Sequence, residues 1–135
     1  MSNPRVIGGS ARGIRLHPVP GDITRPITDR VKEALFNILA PDLVDASILD
    51  LFGGTGAVSI EALSRGARFA CIIDLHRAAI QTIQANLEHT KLSAKAEVIQ
   101  ADAFSYIRQP ANRQYEYVYI APPQYKGMWL KALEL

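Results

Sequence analysis

The sequence predicts an α/β fold with a doubly wound, mostly parallel sheet, and three observations support this prediction. Strand-like and helix-like patterns alternate over most of the chain, which is typical of a parallel sheet covered by helices on both faces. An apolar run at 48–52 leads at once through a glycine-rich turn at 53–56 into a helical pattern. The length of 135 residues, 48% of them hydrophobic, fits one soluble domain at 1–135.

The first part of this domain, residues 1–27, is predicted to be a basic hairpin and a loop. The stretch RVIGGSARGIRL at 5–16 reads as two short strands around a glycine-rich turn, and HPVPGDITRPI follows as the loop. Residues 28–135 are predicted to contain one leading helix and then a Rossmann-like core.

The leading helix is expected to begin after Thr28, its N-cap, with Asp29 in the positive first turn. Apolar residues at helical spacing predict one buried stripe, formed by Val31, Ala34, Leu35, Ile38 and Leu39. Pro41 is expected to end the helix, because proline removes a backbone donor.

The remaining elements alternate regularly. The predicted strands lie at 47–52, 69–73, 96–100 and 117–120, and the predicted helices lie at 57–65, 77–89 and 103–108. In an open parallel sheet, ligands bind beyond the carboxyl ends of the strands, so residues at those ends are candidate site residues.

The glycine turn and the acid before it favour one ligand class. The sequence Gly53-Gly54-Thr55-Gly56 lacks the third glycine of the dinucleotide fingerprint. Asp50 lies inside the strand, four residues before Gly54, where a carboxylate can accept a hydrogen bond from an ammonium group over the turn. S-adenosylmethionine carries such a group, and dinucleotides do not. A degenerate flavin or nicotinamide domain, or a turn without ligand, is the alternative.

Two further acids follow the next strands. Asp74 closes the second strand and is placed to accept both hydroxyls of a ribose. Asp102 follows the third strand and is placed to accept from an adenine amino group, with Ala103 and Phe104 as an apolar wall. The alternative for each is a helix N-cap or a solvated loop acid.

Charge is distributed unevenly along the chain. Residues 1–40 contain six basic and three acidic residues, whereas the remainder contains nine basic and ten acidic residues. A basic leading segment predicts an anionic partner, most simply nucleic acid, with a solvated basic surface as the alternative.

We find no apolar segment typical of a signal peptide or membrane span and expect a cytoplasmic monomer. The single cysteine, Cys71, is expected to be a buried apolar residue.

These motifs together resemble the bacterial 16S ribosomal RNA guanine-N2 methyltransferase family over essentially the whole chain. The resemblance is carried by RVIGGSARGIRL, TRPITDRVKEALFNIL, LDLFGGTGAVSIEALSRGA, IIDLH, QADAF and the Pro-Pro segment. TRPITDRVKEALFNIL is particular to this family rather than to methyltransferases in general. The resemblance implies an S-adenosylmethionine-dependent enzyme that needs no metal and acts on ribosomal RNA or a small-subunit assembly intermediate.

The resemblance also implies roles for individual residues. Cofactor binding falls to Asp50, Phe52, Gly54, Gly56, Asp74, Asp102 and Ala103. RNA binding falls to Arg5, Arg12, Arg15, Arg25 and Arg30, and the catalytic turn is Pro122, Pro123, Gln124 and Tyr125.

Two features depart from the family pattern. The family usually has Asp-Pro-Pro followed by an aromatic residue, whereas this chain has Ala121 in place of the acid and its aromatic, Tyr125, one place later. The sheet of such methyltransferases normally has further strands after this turn, but the sequence stops at Leu135 inside a predicted amphipathic helix. We therefore expect the C-terminal strands of the fold to be missing from this chain.

Three functions remain open at this stage. The first is an RNA methyltransferase, and the second is a non-catalytic or impaired RNA-binding relative, which Ala121 suggests. The third is a methyltransferase for another planar amine or amide, such as DNA adenine or a protein glutamine. A nicotinamide oxidoreductase is the remote alternative.

Overall fold

The structure is a computed structural model that describes residues 4–21, 28–110 and 114–121. The helices are α1 (Asp29–Leu43), α2 (Ala57–Ser64), α3 (Arg77–His89) and α4 (Ala103–Arg108), with a short 3-10 turn at Ser93–Lys95. The strands are β1 (Ser47–Asp50), β2 (Phe69–Asp74), β3 (Ala96–Gln100) and β4 (Tyr117–Tyr119). The predicted alternation of strands and helices is confirmed, and β3, α3 and α4 have the predicted bounds.

The four strands form one parallel sheet in the order β3-β2-β1-β4. Because β2 lies on one side of β1 and β4 on the other, the direction of strand addition reverses at β1. Crevices at such a reversal are the usual ligand sites of doubly wound sheets. Two strand predictions were too long at their C-terminal ends: β1 ends at Asp50 rather than residue 52, and β4 ends at Tyr119 rather than residue 120.

Two apolar clusters cover the two faces of the sheet. The larger cluster joins α1, α2, α3 and the N-terminal residues to one face, with Phe36 and Ile60 among its buried members. The smaller cluster lies on the opposite face, where Leu49 and the buried Cys71 pack with Ala103 of α4. Within the described ranges, no helix is both long enough and apolar enough to cross a membrane.

The N-terminal arm, residues 4–21, reverses direction on the surface of α2. Arg5 and Arg15 form a single antiparallel bridge, and the Leu16 N–H donates to the Pro4 carbonyl at 2.7 Å. The predicted hairpin is present as this chain reversal, but its two strands are not regular. The reason is that several backbone groups of the arm bond to side chains of the helices below instead of to each other.

A buried charged group fixes the arm to α1 and α2. The Glu61 carboxylate accepts the N–H groups of Ile7 and Gly8 at 2.9 Å each, and it pairs with Lys32 at 3.2 Å and Arg65 at 2.7 Å. Burial alone would raise the pKa of Glu61, but these donors and charges hold it below its ordinary value. The cluster therefore anchors the arm through its backbone.

The prediction that Pro41 ends the first helix is wrong, because α1 continues to Leu43. Near the C-terminal end of a helix, proline removes only one backbone donor, and the remaining turn can still form. Leu43 is buried, and its carbonyl accepts the Ala46 N–H at 3.0 Å. Packing of Leu43 thus favours the two further helical residues.

The apolar stripe predicted for α1 is only partly right. Leu35 and Leu39 pack against the core, but Val31 and Ile38 are 55% and 76% exposed, and Ala34 is also exposed. The buried residues of α1 are Lys32, Phe36 and Leu43. The helix is rotated from the predicted orientation because Lys32 enters the core to pair with Glu61.

Candidate functional site

Asp50 ends β1 with a carboxylate that is buried at the carboxyl edge of the sheet. Its Oδ2 accepts the hydroxyl of Ser59 at 2.8 Å, whereas its Oδ1 has no hydrogen-bond partner among the described residues. Burial raises the pKa of Asp50 to about 6; the Ser59 hydroxyl and the backbone N–H of Phe52 oppose this rise, and the negative charge of Asp74 adds to it. A buried acceptor without a partner is costly, so Oδ1 is suited to a ligand that brings a donor or a cation.

The turn between β1 and α2 presents open backbone beside this carboxylate. Gly54 and Gly56 have φ values of +59° and +82°, in the left-handed region that favours glycine. A Cβ added at Gly54 would meet nothing within 4 Å, so this side of the turn is uncovered. A ligand can therefore approach the backbone at Gly54 closely.

Asp74, the last residue of β2, lies against the same turn. Its Oδ2 accepts the Gly54 N–H at 2.9 Å, and its Oδ1 accepts the His76 N–H at 2.9 Å. A carboxylate oxygen can accept more than one hydrogen bond, and the residue is partly exposed. The turn thus orients Asp74 while leaving it able to accept from a diol.

Asp102 and two aromatic rings lie at the same edge of the sheet. The Asp102 side chain caps α4, because its Oδ1 accepts the Phe104 N–H at 2.9 Å, and the residue is exposed. The rings of Phe52 and Phe104 meet edge to face with centroids 6.1 Å apart. Ala103 is buried beside them. This arrangement brings the end of β1 and the beginning of α4 together as an apolar patch.

Four of the five arginines predicted to bind RNA are within the described residues. Of these, Arg12, Arg15 and Arg30 are exposed. Arg5 is also exposed, but its Nε pairs with Asp29 Oδ2 at 2.8 Å, which partly compensates its charge. Arg25 lies outside the described residues. In the part of the chain that the structure describes, Arg12 and Arg15 of the arm form no ion pair.

The residues predicted to be catalytic, Pro122, Pro123, Gln124 and Tyr125, lie outside the described residues. Ala121 is described and follows β4 by two positions. Tyr119 of β4 is in register with Asp50, and burial together with that carboxylate raises the pKa of Tyr119. The chain thus leaves β4 beside the buried acid of β1.

Two polar side chains that were not predicted from the sequence support the site. Ser59 lies within a wholly buried helix and orients Asp50, and the buried amide of Asn86 donates to the Thr55 carbonyl in the glycine turn at 2.9 Å. A serine in the apolar sequence AVSIEALS and an asparagine on the apolar face of α3 were the available signals, since buried polar groups need partners.

Chemically, the site combines groups suited to different parts of one ligand. Asp50 offers a buried acceptor, Asp74 a carboxylate for a diol, and the Phe52 and Phe104 rings an apolar surface. These groups can bind and orient a ligand that carries an ammonium, a ribose and a planar ring.

Nearly the whole chain is similar to known proteins. The family described as "Conserved hypothetical protein 95" matches residues 4–135. The protein named Ribosomal RNA small subunit methyltransferase D of Escherichia coli (strain K12) is 42% identical over 132 residues, covering 97% of this chain and 65% of that protein. The solved structure of the Escherichia coli protein yhhF superposes with a TM-score of 0.82 at 41% identity, covering 96% of this chain and 69% of that chain.

The fold also occurs in a more distant structure. A SAM-dependent methyltransferase from Thiobacillus denitrificans, in complex with S-adenosyl-L-homocysteine, has a TM-score of 0.60 at 18% identity and covers 73% of this chain and 38% of that one. This likeness shows the fold alone. The chain spans 65% of the length of the Escherichia coli relative, which is less than two thirds.

Proposed function

The chain belongs to the family described as Conserved hypothetical protein 95, and we propose that it is an S-adenosylmethionine-dependent methyltransferase. Its proposed substrate is the exocyclic N2 amine of a guanine in small-subunit ribosomal RNA. The observation that carries the proposal is the buried carboxylate of Asp50, whose Oδ1 lacks a partner in the described part of the chain. The name of the Escherichia coli relative supports ribosomal RNA as the substrate, and the guanine N2 position comes from the motif resemblance.

The residues at the carboxyl edge of the sheet fit this cofactor. Oδ1 of Asp50 would accept a hydrogen bond from the ammonium group of the methionine part. The uncovered backbone at Gly54 would lie beside that group. Asp74 would accept the ribose hydroxyls. Asp102 would accept from the adenine, with Phe52 as apolar wall. When bound, S-adenosylmethionine supplies a methyl group on a sulfonium.

The acceptor side of the reaction is assigned to the residues after β4. A guanine N2 amine shares its lone pair with the ring, so it reacts well only if its N–H bonds are held by acceptors and its lone pair is aimed at the methyl group. The Pro122 carbonyl and the Gln124 amide oxygen are the proposed acceptors. Tyr125 would stack on a guanine that has left its helix, a contact worth about 1–3 kcal/mol.

A competition between methyl acceptors tests the class of substrate. The full-length protein is given radiolabelled S-adenosylmethionine with equal masses of undermethylated small-subunit RNA, duplex DNA and a glutamine-containing protein. We expect label in the RNA. The exposed Arg12 and Arg15 favour a polyanion over the protein, and the loops and bulges of folded RNA present unpaired guanines that duplex DNA does not. If the label is found mainly in DNA, the result supports DNA adenine as the substrate; if it is found mainly in protein, the result supports protein glutamine.

Ala121 favours a second candidate, an impaired or non-catalytic relative that still binds RNA. Loss of one transition-state acceptor typically lowers the rate by about two to three powers of ten. If the turn is merely impaired, Ala121→Asp should raise the single-turnover rate and Gln124→Ala should do little. If Gln124 has replaced the acid, Gln124→Ala should lower the rate by about tenfold or more. If Ala121→Asp, Gln124→Ala and Tyr125→Ala all leave the rate unchanged, this turn is not the catalytic site.

A further inference from the structure

Asn86 links two parts of the site that are distant in sequence. Its side chain is fully buried within α3. Its Nδ2 donates to the Thr55 carbonyl at 2.9 Å and to the His17 carbonyl at 3.0 Å, while its Oδ1 accepts the His17 N–H at 2.7 Å. An amide has two N–H donors and one carbonyl oxygen, so each of these groups has a partner. One side chain thus joins the arm to the glycine turn.

At the turn, Asn86 fixes one specific peptide group. The Thr55 carbonyl belongs to the same peptide as the Gly56 N–H, which donates to the Gly53 carbonyl at 2.8 Å. Both polar ends of this peptide are therefore held. This peptide is flanked by two residues with positive φ, Gly54 and Gly56. Its orientation therefore determines which backbone groups of the turn face a ligand.

At the arm, Asn86 holds both backbone groups of His17, beyond the chain reversal. Among the described residues, the other side chains that hydrogen-bond to the backbone of the arm are Lys32, Glu61 and Ser64 of α1 and α2. Within the described ranges, Asn86 alone has a side chain that hydrogen-bonds to both the arm and the glycine turn. Because the amide is buried, loss of either link would leave unpaired polar groups.

We propose that Asn86 is a positioning residue that couples RNA contact at the arm to cofactor binding at the glycine turn. This inference rests on the proposed function and specifies how its two sites communicate. A ligand bound against the turn restrains the Thr55 carbonyl beyond its existing hydrogen bonds and, through Asn86, it also restrains the backbone of His17. Binding at the arm then requires less ordering, and by thermodynamic linkage RNA strengthens cofactor binding by the same factor.

Calorimetry with S-adenosylhomocysteine, in the presence and absence of small-subunit RNA, measures this coupling in the full-length protein without turnover. In the wild type, we expect RNA to lower the dissociation constant by about fivefold or more, the lower end of typical coupling. Asn86→Asp keeps an acceptor for the His17 N–H but loses both donors, and it should reduce the factor to about one. The matched control is Thr90→Val. It removes the buried hydroxyl that donates to the main-chain carbonyls of Asn86 and Leu87, without touching the arm or the turn, and should keep the factor.

Hydrogen exchange in the wild type provides a second measurement that does not depend on a variant folding. Addition of S-adenosylhomocysteine should slow exchange of the His17 amide about fivefold or more, and leave the Ala11 amide, which donates to Ser64, unchanged. The inference is overturned if the wild type binds both ligands without coupling, if Asn86→Asp retains it, or if His17 exchange does not change. If the wild type binds neither ligand, the proposed function fails and this inference fails with it.

Discussion

Ser59 donates its hydroxyl to Oδ2 of Asp50 over 2.8 Å, so a residue of α2 orients the acid that ends β1. The bond leaves Oδ1 as the buried oxygen without a partner in the described residues. The Ser59 hydrogen bond holds the Asp50 side chain in one orientation. Its other oxygen, Oδ1, lies at the edge of the sheet where β1 is followed by the glycine turn. Because Asp50 is buried and bonded in this way, we expect its ionisation to affect both the stability of the protein and its ligand binding as pH changes.

The first prediction concerns stability without ligand. Burial raises the pKa of Asp50 from 3.8 to about 6, so the folded protein binds this proton more tightly than the unfolded chain does. The contribution of the group to stability therefore falls as pH rises through this window, by about 2–3 kcal/mol in all. The free energy of unfolding of Asp50→Asn, relative to wild type, should increase by about this amount between pH 4 and pH 7.5. Urea unfolding at both pH values measures it, and a constant difference would contradict the assignment.

The second prediction concerns the pH dependence of ligand binding. If ionised Asp50 binds the ammonium, the dissociation constant of S-adenosylhomocysteine should increase by about tenfold per pH unit below pH 6. Ser59→Ala removes a hydrogen bond that lowers the pKa of Asp50, so the midpoint should move to higher pH. Calorimetry from pH 5 to pH 8 checks both expectations. Asp50→Asn serves as the control and should bind weakly with no such dependence.

The third prediction concerns the ribose contact. Asp74→Ala should weaken binding of S-adenosylhomocysteine by about 1–3 kcal/mol, because charged hydrogen bonds are lost. Asp74→Asn retains one acceptor oxygen and should lose less affinity. Calorimetry on the three proteins measures the differences, and NAD should show no appreciable binding to any of them. Equal affinities of wild type and Asp74→Ala would refute the assigned role.

The fourth prediction concerns the arginines of the arm. Arg12→Gln and Arg15→Gln should each reduce the slope of log affinity against log salt by about 0.7–0.9, as expected for one lost phosphate contact. Arg5→Gln should have a smaller effect, because Asp29 already pairs with Arg5. RNA binding over a salt series measures the slopes. Arg68→Gln, an exposed residue at the amino edge of β2, is the control; the same change there would indicate a general charge effect.

The sequence predicted the parallel sheet and the positions of Asp50 and Asp74 well, because short-range patterns determine both. Alternating strands and helices require a parallel sheet, and residues at strand ends must meet at one edge. Asp102 was also placed correctly after its strand, and the structure additionally gives it the role of N-cap for α4.

Long-range partners explain what the sequence did not predict. The orientation of α1 depends on the pairing of Lys32 with Glu61, 29 positions away, which no local periodicity contains. The partners of Asn86 lie 31 and 69 positions away, at Thr55 and His17. A buried polar side chain shows from sequence only that it needs a partner, and the identity of that partner requires the fold.

Identification of the modified nucleoside decides whether the protein transfers a methyl group to a guanine N2 amine. Undermethylated small-subunit RNA is incubated with the full-length protein and S-adenosylmethionine carrying a deuterated methyl group, and is then digested to nucleosides for mass spectrometry. The expected product is labelled N2-methylguanosine from the wild type and none from Asp50→Asn. Label on another nucleoside, or equal labelling by the Asp50→Asn protein, would contradict the proposed function.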